Sequence, residues 1–481
     1  MLGLYALLLV GLAAAISARP RTAAPSRAQG DVDVRFVIPL LIGIVLVTFG
    51  HERLIAHAAL VQRPLPAWMA ALPFVPVLDL APLYGHIDVR TSMAAEGLSL
   101  VECALMGALV LVSRGRRLGS QLGIAVAVAV AGLLVVTITA HGLLSEDVYA
   151  YVADGLLGPQ AYHPSSARLD GEFHTLVKLW GDPPLPCAYG PTWLYPATLL
   201  MFGVHSLADG VLRFRLAGAA SVFAVALALF RLRVSRPVLL TFLLNPMVWM
   251  QYVADGHNDL WPVALVLFGR LYAHRPLIAC IFGGLAGAAK LPFLVVCCLT
   301  GADRLRSGER LRIAAGSLGI AVAISAVAGG PAYLHAIEVV RRMYPASSDP
   351  QTIALQMLAF VGTAFAVVMA LAARRTAWPA AYSFIGFGSS FPWYAVWGLG
   401  YATLTDGAEF FLCTLPLTAF LTATTYASTP LWTPLLVSVF FTACAGAYVL
   451  LRTRFFGAPW RSGRAITPAA PFPDASCTRP T

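Results

Sequence analysis

Long apolar runs separated by short polar turns dominate the chain and predict a bundle of membrane-crossing helices. A run of about 18 apolar residues can cross a ~30 Å hydrocarbon core as one helix. Such runs recur along the whole chain, so the pattern predicts about twelve to fourteen membrane segments. The clearest runs lie near 36–50, 65–83, 96–113, 121–140, 212–230, 237–253, 260–273, 313–330, 353–373, 377–391, 394–404, 408–426 and 430–451.

The composition agrees with this pattern and excludes other classes of protein. Of the 481 residues, 58% are hydrophobic and 12% are charged, and the mean hydropathy is +0.75. Soluble domains carry about 25% charged residues, so a soluble enzyme, a secreted disulfide scaffold and a disordered chain are excluded. The cysteines form no C-x-x-C pair and show no metal-ligand spacing. The predicted fold class is therefore an all-α polytopic membrane protein.

Arginine clusters predict how the helices are oriented, because cytoplasmic turns carry an excess of Lys and Arg. The net charge is +10, and arginines in short turns supply nearly all of the positive charge. Turns at 114–117, 231–236 and 304–312 are predicted to be cytoplasmic. The longest polar stretch, 141–187, and the polar turn at 254–259 then both lie on the outer face.

One apolar run, 276–300, has cytoplasmic-type arginines on both sides, so a single spanning helix would violate this rule. Gly283, Gly284, Gly287 and Pro292 can break the helix. A broken hairpin of two half-helices is predicted, with Lys290 at the bend. Irregular backbone at membrane depth is tolerated where it lines a cavity, so we expect Lys290 to face a polar cavity that opens outward.

The chain divides into four predicted regions. Residues 1–140 form N-terminal membrane helices, of which 1–18 is interpreted as a retained first helix because arginines follow it. Residues 141–207 form an extracytoplasmic catalytic loop, in which 188–207 is a re-entrant or interfacial element. Residues 208–451 are membrane helices that complete the site, and 452–481 is a Pro-containing tail predicted to be disordered in the cytoplasm.

Four clusters of polar or aromatic residues are the candidates for chemistry, and each has a structural alternative. Glu146 and Asp147 can act as a base, bind a metal or be solvated charges, and the ADGHND run at 254–259 can be a simple turn. Lys290 can snorkel, and the aromatic residues at 391–397 can form an interfacial belt. Paired arginines in the predicted outer loop 331–352, Arg341 and Arg342, suit a phosphate. No P-loop or dinucleotide motif is present in the sequence.

Five segments together resemble the membrane glycosyltransferases of the C-type fold that use polyprenyl-phosphate sugars. They are SEDVYAYVADGLLGPQAYHP, AYGPTWLYP, LLNPMVWMQYVADGHNDLWPVAL, GLAGAAKLPFLVV and FPWYAVW, in that order between residues 145 and 397. The chain is most similar to bacterial polyprenol-phosphate-mannose α-1,6-mannosyltransferases. It departs from the usual pattern at Tyr162-His163-Pro164 and at Glu146.

The resemblance implies inverting transfer of a hexose, expected to be mannose, from a polyprenyl-phosphate donor to a glycan or glycolipid hydroxyl on the outer face of a bacterial inner membrane. Asp147 is expected to be the base, with Glu146 second, and Lys290, Arg341 and Arg342 are expected to bind the donor phosphate. The reaction requires no metal or other cofactor, although divalent-metal dependence stays open, and no nucleic-acid partner is expected. The competing class is a transporter or lipid-linked-sugar flippase. The residues expected to bind the sugar or acceptor are Tyr149, Tyr151, Asp154, His163, Tyr189, His257, Asn258, Asp259, Trp393, Tyr394 and Trp397.

Overall fold

The computed structural model of the protein describes nine stretches of the chain. They are residues 34–62, 89–113, 120–140, 147–164, 169–178, 184–293, 307–343, 396–399 and 408–416. The predictions for 1–18, 65–83, 353–391, 430–451 and the tail lie outside these stretches. Helices make up the regular structure throughout the described residues, and no strand is found among them.

Twelve α-helices are numbered here in chain order. They are α1 (Val34–Gln62), α2 (Val89–Ser113), α3 (Ser120–Ile138), α4 (Asp147–Leu157), α5 (Pro191–Leu200), α6 (Leu207–Arg231), α7 (Arg236–Leu243), α8 (Pro246–Trp249), α9 (Leu260–Leu271), α10 (Pro276–Ala289), α11 (Ser307–Ile324) and α12 (Gly330–Met343). Two π-helical turns, Met250–Ala254 and Ser325–Gly329, follow α8 and α11, and 3₁₀ helices span Gly158–Tyr162 and Gly171–Lys178.

Four stretches of helix within the described residues are long and apolar enough to cross a membrane. They are Arg35–Leu54, Ser120–Ile138, Leu207–Arg231 and Gly308–Val339. A fifth crossing is available if α7 and α8 with its π-turn act as one bent span. The prediction of an all-α polytopic membrane protein is thus confirmed, whereas the total of twelve to fourteen segments stays a prediction.

The bend between α7 and α8 follows from the Asn245-Pro246 pair. Proline lacks an amide N–H and restricts the residue before it, so it begins a new helix more readily than it continues an old one. The Asn245 Oδ1 atom accepts a hydrogen bond from the Met247 N–H at 3.2 Å, and its Nδ2 donates to the Leu412 carbonyl at 2.8 Å. The two helices meet at 49°, and the bend directs the following ADGHND turn into the protein.

The predicted break near Lys290 is confirmed. Helix α10 ends at Ala289, and Lys290 itself has extended backbone with φ −152° and ψ 118°. The second half of the predicted hairpin, beyond residue 293, lies outside the described residues. Helix α5 has ten residues, so it rises about 15 Å and is too short to cross the membrane by itself.

Two stretches interpreted as loops are folded into helices. The polar stretch 141–187 contains α4 and both 3₁₀ helices, because its apolar and aromatic side chains build a buried cluster of their own with α5 and α12. The predicted outer loop 331–352 begins as α12, which is amphipathic: Tyr333 and Ala336 are buried while Leu334 and His335 are exposed. Its charged residues obscured this helical period in the sequence.

Candidate active site

Asp147 is the first residue of α4 and lies where α4 meets the ADGHND turn. One of its carboxylate oxygens, Oδ2, is 3.4 Å from Nδ1 of His257 and accepts a hydrogen bond from the Tyr151 hydroxyl at 3.3 Å. The Asp147 side chain keeps 15% of its surface exposed, whereas that of His257 keeps none. Tyr151 stands one helical turn after Asp147, so the helix itself presents its ring to the carboxylate.

A chain of hydroxyl groups extends from Asp147 to the YGP segment. The Tyr189 hydroxyl lies 3.1 Å from the Tyr151 hydroxyl, and the Tyr151 hydroxyl donates to Asp147. The main-chain carbonyl of Tyr189 accepts a hydrogen bond from the Tyr162 hydroxyl at 3.2 Å. Fully buried aromatic side chains thus hold the Asp147 carboxylate in one orientation.

Lys290 and Asp259 form a buried ion pair beside these tyrosines. The Lys290 Nζ atom is 2.6 Å from Asp259 Oδ1, and the Trp397 Nε1–H donates to the same oxygen at 2.6 Å. The ammonium group also lies 5.2 Å from the ring centroids of both Tyr189 and Trp397, within the range of a cation–π interaction. The second Asp259 oxygen has no hydrogen-bond partner among the described residues.

Glycine allows the YGP segment to approach Lys290. The Gly190 N–H donates to the Ala289 carbonyl at 2.9 Å, and a Cβ atom at Gly190 would overlap the carbonyl oxygen of Ala288. Gly256 makes the turn that carries His257 and has a φ of +67°. Glycine suits this position because left-handed backbone is costly for other residues. The motif at 188–196 and the described part of the motif at 284–293 therefore meet through a backbone contact that Gly190 permits.

The structure brings together Asp147, Tyr151, Tyr189, His257, Asp259, Lys290 and Trp397 from the predicted site. Asn258 is half-buried next to them, and its amide atoms have no hydrogen-bond partner within the described part of the chain. His163 stands on the exposed surface, where its ring lies 5.3 Å from that of His335. Tyr149 has no exposed surface, and its contact with a sugar stays a prediction.

The remaining predicted residues are placed only in part. Arg341 and Arg342 lie on the last turn of α12 and not in a loop. Glu146, Trp393 and Tyr394 lie outside the described residues. No cluster of three or more His, Cys, Asp or Glu side chains in the described stretches is arranged to hold a metal ion, and metal dependence stays untested.

A comparison with protein-family models identifies the chemistry that this arrangement serves. Residues 70–303 match the model described as alpha-(1→6)-mannopyranosyltransferase, N-terminal domain. Over these residues the chain is similar to that mannosyltransferase family. The matched region contains Asp147, the ADGHND turn and Lys290. Comparisons with curated proteins and with solved structures gave no match.

The match with this family shows that the protein is a glycosyltransferase that transfers mannose, so the transporter and flippase alternative is set aside.

Two buried residues of this mannosyltransferase were not predicted from the sequence, and they support the motifs instead of forming them. Arg215 is fully buried inside α6, and Cys187 is buried against the carbonyl of Tyr189. An arginine within an apolar helix can be recognised in the sequence as a candidate functional residue. The sequence does not show which group a buried cysteine contacts.

Asp154 of the mannosyltransferase is buried two turns after Asp147 and interacts with Cys187 instead of facing solvent. Burial raises its pKa from 3.8 to about 7. The unfolded chain then releases this proton at lower pH than the folded protein. The contribution of Asp154 to stability is therefore fully present below pH 3.8 and is lost as the pH rises to about 7.

We expect the Asp154→Asn variant to lose this pH dependence, because an amide stays neutral. Melting temperatures of the purified protein measured across this pH range should fall less steeply for the variant than for the wild type. The matched control is Asp170→Asn, since Asp170 is an exposed aspartate of the same region. An unchanged slope in Asp154→Asn would mean that Asp154 is ionised in the folded protein throughout the range.

Proposed function

We propose that this mannosyltransferase takes mannose from a polyprenyl-phosphate donor and transfers it, with inversion, to a hydroxyl of a glycan or glycolipid on the extracytoplasmic face of a bacterial inner membrane. The observation that carries the proposal is the Asp147 carboxylate, which is partly exposed and oriented by both Tyr151 and His257. Of the other described carboxylates nearby, Asp259 pairs with Lys290, Asp255 is buried and interacts with Arg215, and Asp154 is buried.

The proposed reaction is a single displacement at the anomeric carbon of the donor. The acceptor oxygen forms a bond to C1 of mannose while the bond from C1 to the phosphate oxygen breaks, and the electron pair leaves with the lipid phosphate. The proton of the acceptor hydroxyl moves to Asp147, a general base within hydrogen-bond reach. An α linkage formed with inversion requires a β-linked donor.

Positive charge is needed where the leaving phosphate develops its negative charge. Lys290 is the described cation nearest the tyrosines of the site, and its ammonium group has three N–H donors. One of them satisfies Asp259, and the proposal assigns another to the phosphate. Arg341 and Arg342 on α12 are the further candidates for this role.

The donor is tested by supplying the purified protein in lipid nanodiscs with radiolabelled polyprenyl-phosphate mannose or radiolabelled GDP-mannose and a panel of mannoside acceptors. The proposal expects transfer from the lipid donor alone and an α-linked product by NMR. Transfer from GDP-mannose alone, or a β-linked product, would contradict it.

The sidedness of the site is tested by cysteine labelling in a variant without native cysteines. Gln160 is exposed next to the α4 region, and Arg231 is exposed at the opposite end of α6, a helix of about 37 Å at 1.5 Å per residue. We expect Gln160→Cys to react with an impermeant maleimide in intact cells and Arg231→Cys to react only after permeabilisation. The reverse result would place the site in the cytoplasm.

A further inference from the structure

Arg215 is a fully buried charge in the first half of the apolar helix α6, outside the groups that the proposed reaction uses. Its relative exposure is 0%, and α6 is one of the helices able to span the membrane. A charged side chain within a spanning helix is costly even on insertion scales. Such a residue is expected to have a definite task.

The guanidinium group of Arg215 joins two segments that lead into the site. Its Nε–H donates to the Ala254 carbonyl at 2.9 Å, and an Nη1–H donates to the Ile138 carbonyl at 2.8 Å. Ala254 ends the π-helical turn immediately before Asp255 to Asp259, and Ile138 ends α3, the helix that precedes Asp147. One side chain therefore joins the end of α3 to the turn that carries His257.

The surroundings of Arg215 favour this arrangement. Tyr149 of α4, Asp255 of the ADGHND run and Glu52 of α1 interact electrostatically with its positive charge. Tyr149 lies two residues after Asp147, and Asp255 lies two residues before His257, so Arg215 also interacts with the near neighbours of both site residues. Next to it, a Cβ atom at Gly218 would overlap the carbonyl oxygen of Tyr252, so α6 and the π-helical turn are in direct backbone contact.

We propose that Arg215 is a positioning residue for mannosyl transfer, which holds His257 of the ADGHND turn in register with Asp147. It does not contact the reacting atoms, and it acts through the two carbonyl groups that it binds. The inference rests on the proposed role of the Asp147 site. A displacement of about 1 Å in an active site can lower the rate by about 10²-fold. Loss of the Arg215 side chain should therefore lower kcat and leave the affinity for the donor unchanged.

The test compares Arg215→Met, Arg215→Gln and Arg215→Lys in the lipid-donor assay, with kcat, KM and the melting temperature measured for each. We expect kcat of the Met variant to fall by about 10- to 100-fold while KM for polyprenyl-phosphate mannose stays within about threefold. Lys can still donate to both carbonyls and should recover part of kcat. The Gln variant is neutral and retains an amide donor. It replaces the Met variant in the comparison of kcat if the Met variant does not fold.

The matched control is Arg213→Met on the same helix. Arg213 also donates to two backbone carbonyls, those of Leu200 and Phe202, and pairs with Asp209, but these contacts hold the end of α5. We expect this variant to lose thermal stability and to keep kcat. An equal loss of kcat in Arg213→Met, or an unchanged kcat in folded Arg215→Met and Arg215→Gln, would overturn the positioning role.

Asp147→Asn is measured in the same series, so that the two proposals fail separately. An inactive Asp147→Asn together with fully active Arg215 variants would overturn the positioning role alone. A fully active Asp147→Asn would overturn the proposed role of Asp147 as the base and the positioning role with it.

Discussion

Asp147→Asn is expected to abolish mannosyl transfer while the protein still inserts and folds. The amide keeps the shape of the side chain and can still meet Tyr151 and His257, but it cannot accept the proton of the acceptor hydroxyl. Loss of a general base lowers the rate by about 10²- to 10⁴-fold. The measurement is transfer of radiolabelled mannose from polyprenyl-phosphate mannose by purified protein, with the melting temperature recorded on the same sample.

Two further variants make this result specific to Asp147. Asp209→Asn makes the same chemical change at a half-exposed aspartate paired with Arg213, and it should leave the rate unchanged. Glu146→Gln should lower the rate less than Asp147→Asn. If Glu146→Gln is inactive and Asp147→Asn is active, Glu146 is the base, and if both are active the loop has no catalytic role.

Lys290→Met is expected to destabilise the protein strongly. It removes one partner of the buried ion pair between Lys290 and Asp259. Of the two contacts described for Asp259 Oδ1, the hydrogen bond from the Trp397 N–H is then the one that remains. Breaking a buried pair from one side costs about 3–5 kcal/mol. Asp259→Asn in the same chain removes the uncompensated charge, so the double variant should regain much of the lost stability. Thermal unfolding in one detergent measures both effects.

Donor binding to the same pair of variants separates the two roles of Lys290. On the proposed reaction, polyprenyl-phosphate mannose binds weakly to Lys290→Met and equally weakly to the double variant, because neither has the ammonium group. Recovery of donor binding together with stability in the double variant would show that Lys290 is structural and does not bind the phosphate.

Local patterns were sufficient for the helical fold and for the helix end before Lys290, which follows from glycine content and the distribution of arginines. The run 237–253 was interpreted as one helix, and the structure bends it at Asn245-Pro246. The amphipathic helix α12 was missed because its charged residues resemble those of a polar loop. Its buried residues, Tyr333 and Ala336, are recognised as one face of a helix only when the segment that packs against them is known.

Pairing between motifs could not be predicted from the sequence. Lys290 and Asp259 were each identified, but the first was assigned to a phosphate and the second to a sugar. They are 31 positions apart and bind each other in the structure. Arg215 is visible in the sequence as an arginine in an apolar run, but the two carbonyl groups that it binds are not. Such contacts depend on how the helices pack against one another. A single sequence predicts where helices lie along the chain but not which helices are in contact.

Photo-crosslinking tests most directly whether these residues form the donor site. The measurement uses a photoactivatable analogue of polyprenyl-phosphate mannose, irradiated with the purified protein in nanodiscs and mapped by mass spectrometry. The account predicts labelling within residues 147–164, 184–200 and 251–293, reduced by unlabelled polyprenyl-phosphate mannose and unaffected by GDP-mannose. Specific, competed labelling confined to residues outside these three stretches would contradict the account.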